Sequence, residues 1–238
     1  MKSKKPFLFF LNKPLWNYNY YIHRKERSRS QKVYSRIAHE ALFIHCCHWD
    51  SGFAPNPFFG YCTLACCKPA IRRTIDEGDW IVGLSPKPKG NKVIYAMQVD
   101  EILKSYSEYY KRFVNKRPDY TKGKVYERGD NIYMPLDDGK YKQLRSQHSD
   151  GEQENLGVKK WDLDGVRVLV GRTFHYFGAS GPELPESLSG LKVGRGHRNA
   201  FSPETINCFL EFMAAKPQGV NCHPTKWPVT DNSWKQKE

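Results

Sequence analysis

The residues best placed by type and spacing to do chemistry are Asp50, Asn56 and Asp119. Asp50 follows an apolar run and precedes Pro55-Asn56-Pro57, where two prolines hold the backbone extended around one asparagine. A stiff loop at a strand end can aim the Asp50 carboxylate and the Asn56 amide into one cleft. If the bond to be broken is N-glycosidic, such a carboxylate steadies a cationic sugar or activates water. The same aspartate also suits a plain turn before Ser51-Gly52. Asp119 is the second candidate carboxylate, with a helix cap or an ion pair as its ordinary alternative.

Around these sit groups that recognise phosphate and flat rings. Lys68, Arg72, Arg73, Arg195, His197 and Arg198 can clamp phosphates, and Gly194 and Gly196 allow close backbone approach. Each also suits a solvated surface, and Lys68 as an amine can attack an exposed sugar aldehyde. Phe53, Phe58, Trp80, Tyr176 and Phe177 can wall a pocket for an extruded base or simply fill a core. His45, Cys46, Cys47 and His48 lie near Cys62, Cys66 and Cys67, but without a C-x-x-C pair the spacing argues against zinc. A cysteine nucleophile finds no local Cys/His signature to support it. No P-loop or dinucleotide fingerprint is present, and nothing calls for a cofactor.

The 238 residues are 39% hydrophobic, enough for one full domain with a real core. A formal charge of +13 favours phosphate-rich partners through counterion release, which makes nucleic acid the expected ligand. A membrane surface is disfavoured, since no long basic amphipathic helix is visible. The apolar run Phe7–Leu11 is too short for a secretory signal and Asn12-Lys13-Pro14 interrupts it. Seven cysteines, two pairs of them adjacent, suit reducing cytoplasm better than a disulfide framework.

The elements that must position these groups read as follows. Residues 1–38 are a basic, aromatic N-terminal extension, 39–216 the main domain and 217–238 a C-terminal tail. Strands are expected over 41–48, 79–84, 92–102 and 166–170, the second and third joined as a hairpin by the Pro86–Asn91 turn. Pro69 opens a short helix, Ser105–Phe113 forms a polar aromatic helix or an irregular crossing, and Ser202-Pro203 caps a helix whose face is Ile206, Phe209, Leu210 and Met213. Residues 120–163 read as short strands with a mobile loop at 147–156, of the kind that covers a site.

Seven ordered segments resemble the second family of nucleotide-modification-associated domains, found in phage and bacterial DNA-modification loci. They are Asp50–Phe58, Cys62–Pro69 with Ile71-Arg72-Arg73, Gly78-Asp79-Trp80, Val93–Met97, Lys116–Asp119, Phe174–Gly178 and Gly194–Arg198. The resemblance implies a mixed α+β domain. Its helix, Gly-Asp-Trp and hairpin also resemble PUA-like domains of the EVE type, which implies a small barrel or sheet with flanking helices. Together with the charge, the family implies a protein directed at DNA with modified bases. The reading it favours is a DNA glycosylase excising hypermodified phage bases in antiviral defence, with Asp50, Asn56 and Asp119 catalytic. A non-catalytic reader of modified bases and a structural or RNA-binding accessory remain open beside it.

Overall fold

A computed structural model describes residues 40–194 and 196–235. The N-terminal extension and Arg195 lie outside the described residues.

In chain order the strands are β1 (Leu42–Cys46), β2 (Cys62–Leu64), β3 (Trp80–Leu84), β4 (Val93–Gln98), β5 (Glu101–Leu103), β6 (Tyr133–Pro135), β7 (Tyr141–Gln143), β8 (Val168–Gly171), β9 (Phe174–Tyr176), β10 (His197–Arg198) and β11 (Gly219–Val220). The α-helices are α1 (Pro69–Thr74), α2 (Tyr106–Arg112), α3 (Lys124–Glu127), α4 (Leu156–Leu163) and α5 (Pro203–Ala214). A mixed six-stranded sheet runs in the order β10-β1-β3-β4-β9-β11, with β1 parallel to β3 and β11 parallel to β9. A three-stranded antiparallel sheet, β2-β8-β5, and the β6-β7 pair complete the fold.

Strand alternation sorts the side chains into layers. Leu42, Ile44, Trp80, Val82 and Leu84 face one way and meet Ile206, Phe209 and Met213 of α5. Full burial of each such side chain stabilises by roughly 1.5–3 kcal/mol. Phe43, Ile81, Tyr95 and Met97 face the other way and meet Leu64 and Leu169 of the small sheet. Val168 and Val170, on the far side of that small sheet, pack with Phe53, Tyr106, Tyr109 and Tyr133.

The α+β expectation holds, and of the small barrel or sheet that the second resemblance implied the structure has open sheets that do not close into a barrel. Because β1 and β3 are parallel, the chain between them must cross over, and it uses that crossover to lay down β2 and α1 in another layer. The expected single strand over 92–102 is broken for a related reason. The Asp100 carboxylate accepts from Thr173 N at 3.0 Å and from Arg172 N, fixing a bend at which the chain leaves one sheet for the other.

The helix α4 is absent from the sequence reading. Its start is capped by Asn155 Oδ1, which accepts from Val158 N at 3.0 Å, but Leu156 and Trp161 are exposed and Asp162 is its buried residue. A helix anchored by a carboxylate shows no apolar period. Beyond residue 216 the chain is built into the domain: Gly219 and Val220 pair with β9, and Trp227 is buried against Phe58. Among the described residues no helix is long and apolar enough to cross a membrane.

Candidate active site

The turn from β2 into α1 passes through Cys67 and Lys68, whose φ angles of 63° and 45° put two successive non-glycine residues in the left-handed region. Such strain persists only where neighbours hold it. Here the Cys67 N–H donates to Asp162 Oδ1 at 2.7 Å and the Cys67 carbonyl accepts from Arg72 Nε at 2.8 Å. A sharp turn between strand and helix lifts its side chain clear of the backbone, the arrangement that displays a nucleophile.

Cys67 Sγ lies 3.5 Å from His148 Nε2, and His148 Nδ1 lies 2.6 Å from Asp162 Oδ2. The order thiol, imidazole, carboxylate is that of an activated nucleophile, its base and the group that orients the base. Asp162 Oδ2 also accepts from the Tyr133 hydroxyl at 2.8 Å. Burial works to raise Asp162, but His148, the Cys67 amide and Tyr133 hold it below the usual carboxylate range. Burial likewise works to lower His148, and its bonds to Asp162 and Cys67 outweigh this, pushing it up to about 10. The imidazole therefore keeps a proton at neutral pH.

The loop that carries His148 is closed by polar contacts. Gln143 Nε2 donates to the His148 carbonyl at 3.1 Å, Gln143 Oε1 accepts from Asn155 N at 2.8 Å, and His148 N donates to Ser146 Oγ at 3.2 Å. The Phe53 ring covers the imidazole at 4.9 Å, and Ser51 Oγ bonds the neighbouring Gln147 amide at 2.7 Å. Arg72 is wholly buried, donating to Tyr106 Oη at 2.6 Å, to the Arg167 carbonyl at 2.8 Å and to the Asp162 carbonyl. Its guanidinium fills the space at Gly165, where an added Cβ would lie 2.2 Å from Arg72 Cζ.

Cys66 Sγ, His148 and Asp162 also bring three metal-ligand types within 4.8 Å of one another. Two ligands on one tetrahedral zinc would stand about 3.3 Å apart at bond lengths of about 2.0 Å. The His148–Asp162 separation of 2.6 Å is instead that of a charge-assisted hydrogen bond, and Cys66 Sγ is turned 3.6 Å from the Asp130 carbonyl. The geometry suits proton transfer better than ligation.

The residues singled out from the sequence are dispersed. Asp50 is buried, accepting from Thr225 N at 2.8 Å and from the Tyr176 hydroxyl, and burial raises its carboxyl above the usual range. Asn56 is buried too, donating to the Arg128 carbonyl at 2.7 Å and accepting from Lys116 Nζ at 2.8 Å. Asp119 closes a turn through Thr121 and pairs with Lys122 at 3.0 Å, which holds its carboxyl down at about 2.

Of the aromatics, Phe53 borders the triad, while Phe58, Trp80 and Phe177 are core residues. Arg72, expected on phosphate, is instead the prop of the Cys67 turn. Arg73 pairs with Asp164, and Arg198 bonds the Gly190 carbonyl at 2.9 Å. His197 stacks on Phe43 at 6.4 Å, whereas Lys68 stands next to Cys67 and reaches the Cys46 carbonyl at 3.4 Å. Sequence reasoning missed Cys67, His148 and Asp162 as a set because 81 and 95 residues separate the thiol from its partners. The adjacent cysteines and the site-covering loop were the signals that pointed there.

A family model described as nucleotide modification associated domain 2 matches residues 39–231. No curated protein and no solved structure matches the chain.

Proposed function

Because the chain belongs to the nucleotide modification associated domain 2 family, we propose that it is a thiol-dependent enzyme that removes or transfers carbonyl-linked substituents on modified bases of DNA. The observation that carries this reading is the aligned set of Cys67 Sγ, His148 and Asp162, with contacts of 3.5 and 2.6 Å. In the first step Sγ, as the thiolate of an ion pair with the protonated imidazole, attacks the carbonyl carbon, forming a C–S bond. The tetrahedral intermediate then collapses to a thioester as the C–N or C–O bond breaks, and the Nε2 proton goes to the departing amine or alcohol. Water, losing a proton to the now neutral imidazole, cleaves the thioester and restores the thiolate–imidazolium pair. Asp162 holds the ring with Nε2 toward sulfur and stabilises its positive charge whenever Nε2 is protonated.

N-glycosidic cleavage of hypermodified bases, with Asp50 as the carboxylate that activates water, is the second reading. Its specific support is the burial that raises the Asp50 carboxyl above its usual range, which makes the carboxylate a stronger base toward water. Against it, the carboxylate is already occupied by Tyr176 and the Thr225 amide. One experiment separates the readings: incubate the protein with phage DNA carrying bulky modified bases and analyse the products by mass spectrometry. Release of a carboxylic fragment from an intact strand, lost in Cys67→Ala and kept in Asp50→Asn, supports the thiol enzyme. A released free base with an alkali-labile site, lost in Asp50→Asn, supports the glycosylase. DNA bound selectively and recovered intact overturns both in favour of a reader.

A further inference from the structure

Trp49 stands immediately before Asp50 with 64% of its surface exposed, unusual for the largest apolar side chain. Its backbone is nonetheless fixed on both sides. Cys47 Sγ lies 3.8 Å from the Trp49 carbonyl, and the Asp50 carbonyl accepts from Lys226 N at 2.9 Å and from Thr225 Oγ1 at 3.0 Å. The same clamp sets the Lys226 ammonium 4.8 Å from the centre of the indole. An exposed indole with a cation over one face is therefore held out to solvent by partly buried hydrogen bonds.

Its place relative to the triad follows from the chain. Ser51, two residues on, is at most about 7 Å away along an extended backbone. Ser51 bonds Gln147, and Phe53 covers His148. These contacts tie the segment that carries Trp49 directly to the loop that carries His148.

We infer that Trp49 and Lys226 form a stacking platform for a base that flanks the one presented to Cys67, so the ligand is a polynucleotide strand and not a free nucleotide. The inference rests on the thiol-enzyme reading for its register, and on exposure, cation placement and the charge of +13 for its chemistry. Stacking accepts any base, since each has a π-face, and Lys226 meets the phosphate beside it.

The test uses full-length protein carrying Cys67→Ala, a short fluorescein-labelled single-stranded oligonucleotide read by anisotropy, and a nucleoside monophosphate as competitor. Trp49→Ala is expected to weaken oligonucleotide binding roughly 5- to 150-fold while leaving competition by the monophosphate unchanged. Trp49→Tyr should restore most of the loss, and Lys226→Ala should reduce the salt slope by about 0.7. Equal binding by Trp49→Ala and its parent, an equal loss for oligonucleotide and monophosphate, or no oligonucleotide binding at all would overturn the platform. Thermal unfolding of each variant excludes a folding defect. Because catalysis is removed from this background, platform and chemistry fail separately. Trp49-dependent binding by a protein that releases nothing from modified DNA would sink the thiol reading and leave the platform standing.

Discussion

Replacing Asp162 with asparagine isolates the electrostatic contribution of the triad to stability. His148 rises from 6.5 to about 10 in the folded protein, and the raised value makes its contribution fully present below 6.5 and lost as pH climbs through about 10. Three to four tenfold steps at about 1.4 kcal/mol each bound that contribution at roughly 5 kcal/mol. The ring is largely buried but not sealed, so about 2–4 kcal/mol is expected in practice. In Asp162→Asn the amide keeps an acceptor for the Cys67 N–H but no longer favours the imidazolium. Urea unfolding of both proteins from pH 6.5 to about 10 gives the result as a difference. Lys116, which burial lowers to about 8, shifts both curves the opposite way and cancels. The variant should start less stable by a few kcal/mol, and the gap should shrink toward pH 10 as the parent loses its imidazolium. A gap that stays constant across this range would refute the coupling of His148 to Asp162.

Arg72→Met should cost about 3–5 kcal/mol in urea unfolding, since it strands the Cys67, Asp162 and Arg167 carbonyls in the core. Asp50→Asn should lower stability by about 1–3 kcal/mol through the Thr225 and Tyr176 bonds, yet leave the iodoacetamide reaction of Cys67 within about twofold of the parent. His45, which burial lowers to about 3, folds neutral, so its contribution is complete above 6.5 and drains away as pH falls toward 3. His45→Asn should flatten the acid limb of stability against pH by about one proton. An acid limb of unchanged steepness would count against that assignment.

How far the sequence carried this fold depends on what each element is made from. Elements held by apolar surface were legible: Leu42–Cys46, Trp80–Leu84 and α5 carry their alternation or helical period openly. Pro69 and Ser202 marked helix starts that the structure keeps. What stayed hidden is held by polar groups. The helix α4 buries a carboxylate where an amphipathic helix would bury leucine. The short β6-β7 pair is tied to the rest through Gln143 and Tyr133. The same physics explains the site. Asp50 and Asn56 looked catalytic because polar residues beside prolines usually face solvent, yet both turn inward and spend their oxygens on backbone and neighbours. Cys67, His148 and Asp162 come from three separate stretches, and no local spacing rule could join them. Lys68, Phe53 and the loop at 147–156 lie beside Cys67 and His148, where adjacency in the chain and the Phe53 contact put them.

The clamp between Thr225 and Asp50 joins residues 175 apart, near the far end of the chain from the loop it fixes. During synthesis β1, the Asp50 loop, Cys67, His148 and Asp162 all leave the ribosome before Thr225 and Lys226, which lock that loop, have been made. Folding begun from the N-terminal side therefore has Cys67, His148 and Asp162 available while the Asp50 loop is still unfixed. Thr225 and Lys226 act as the latch, and a chain interrupted before them would carry Cys67, His148 and Asp162 without the contacts that fix the loop beside them.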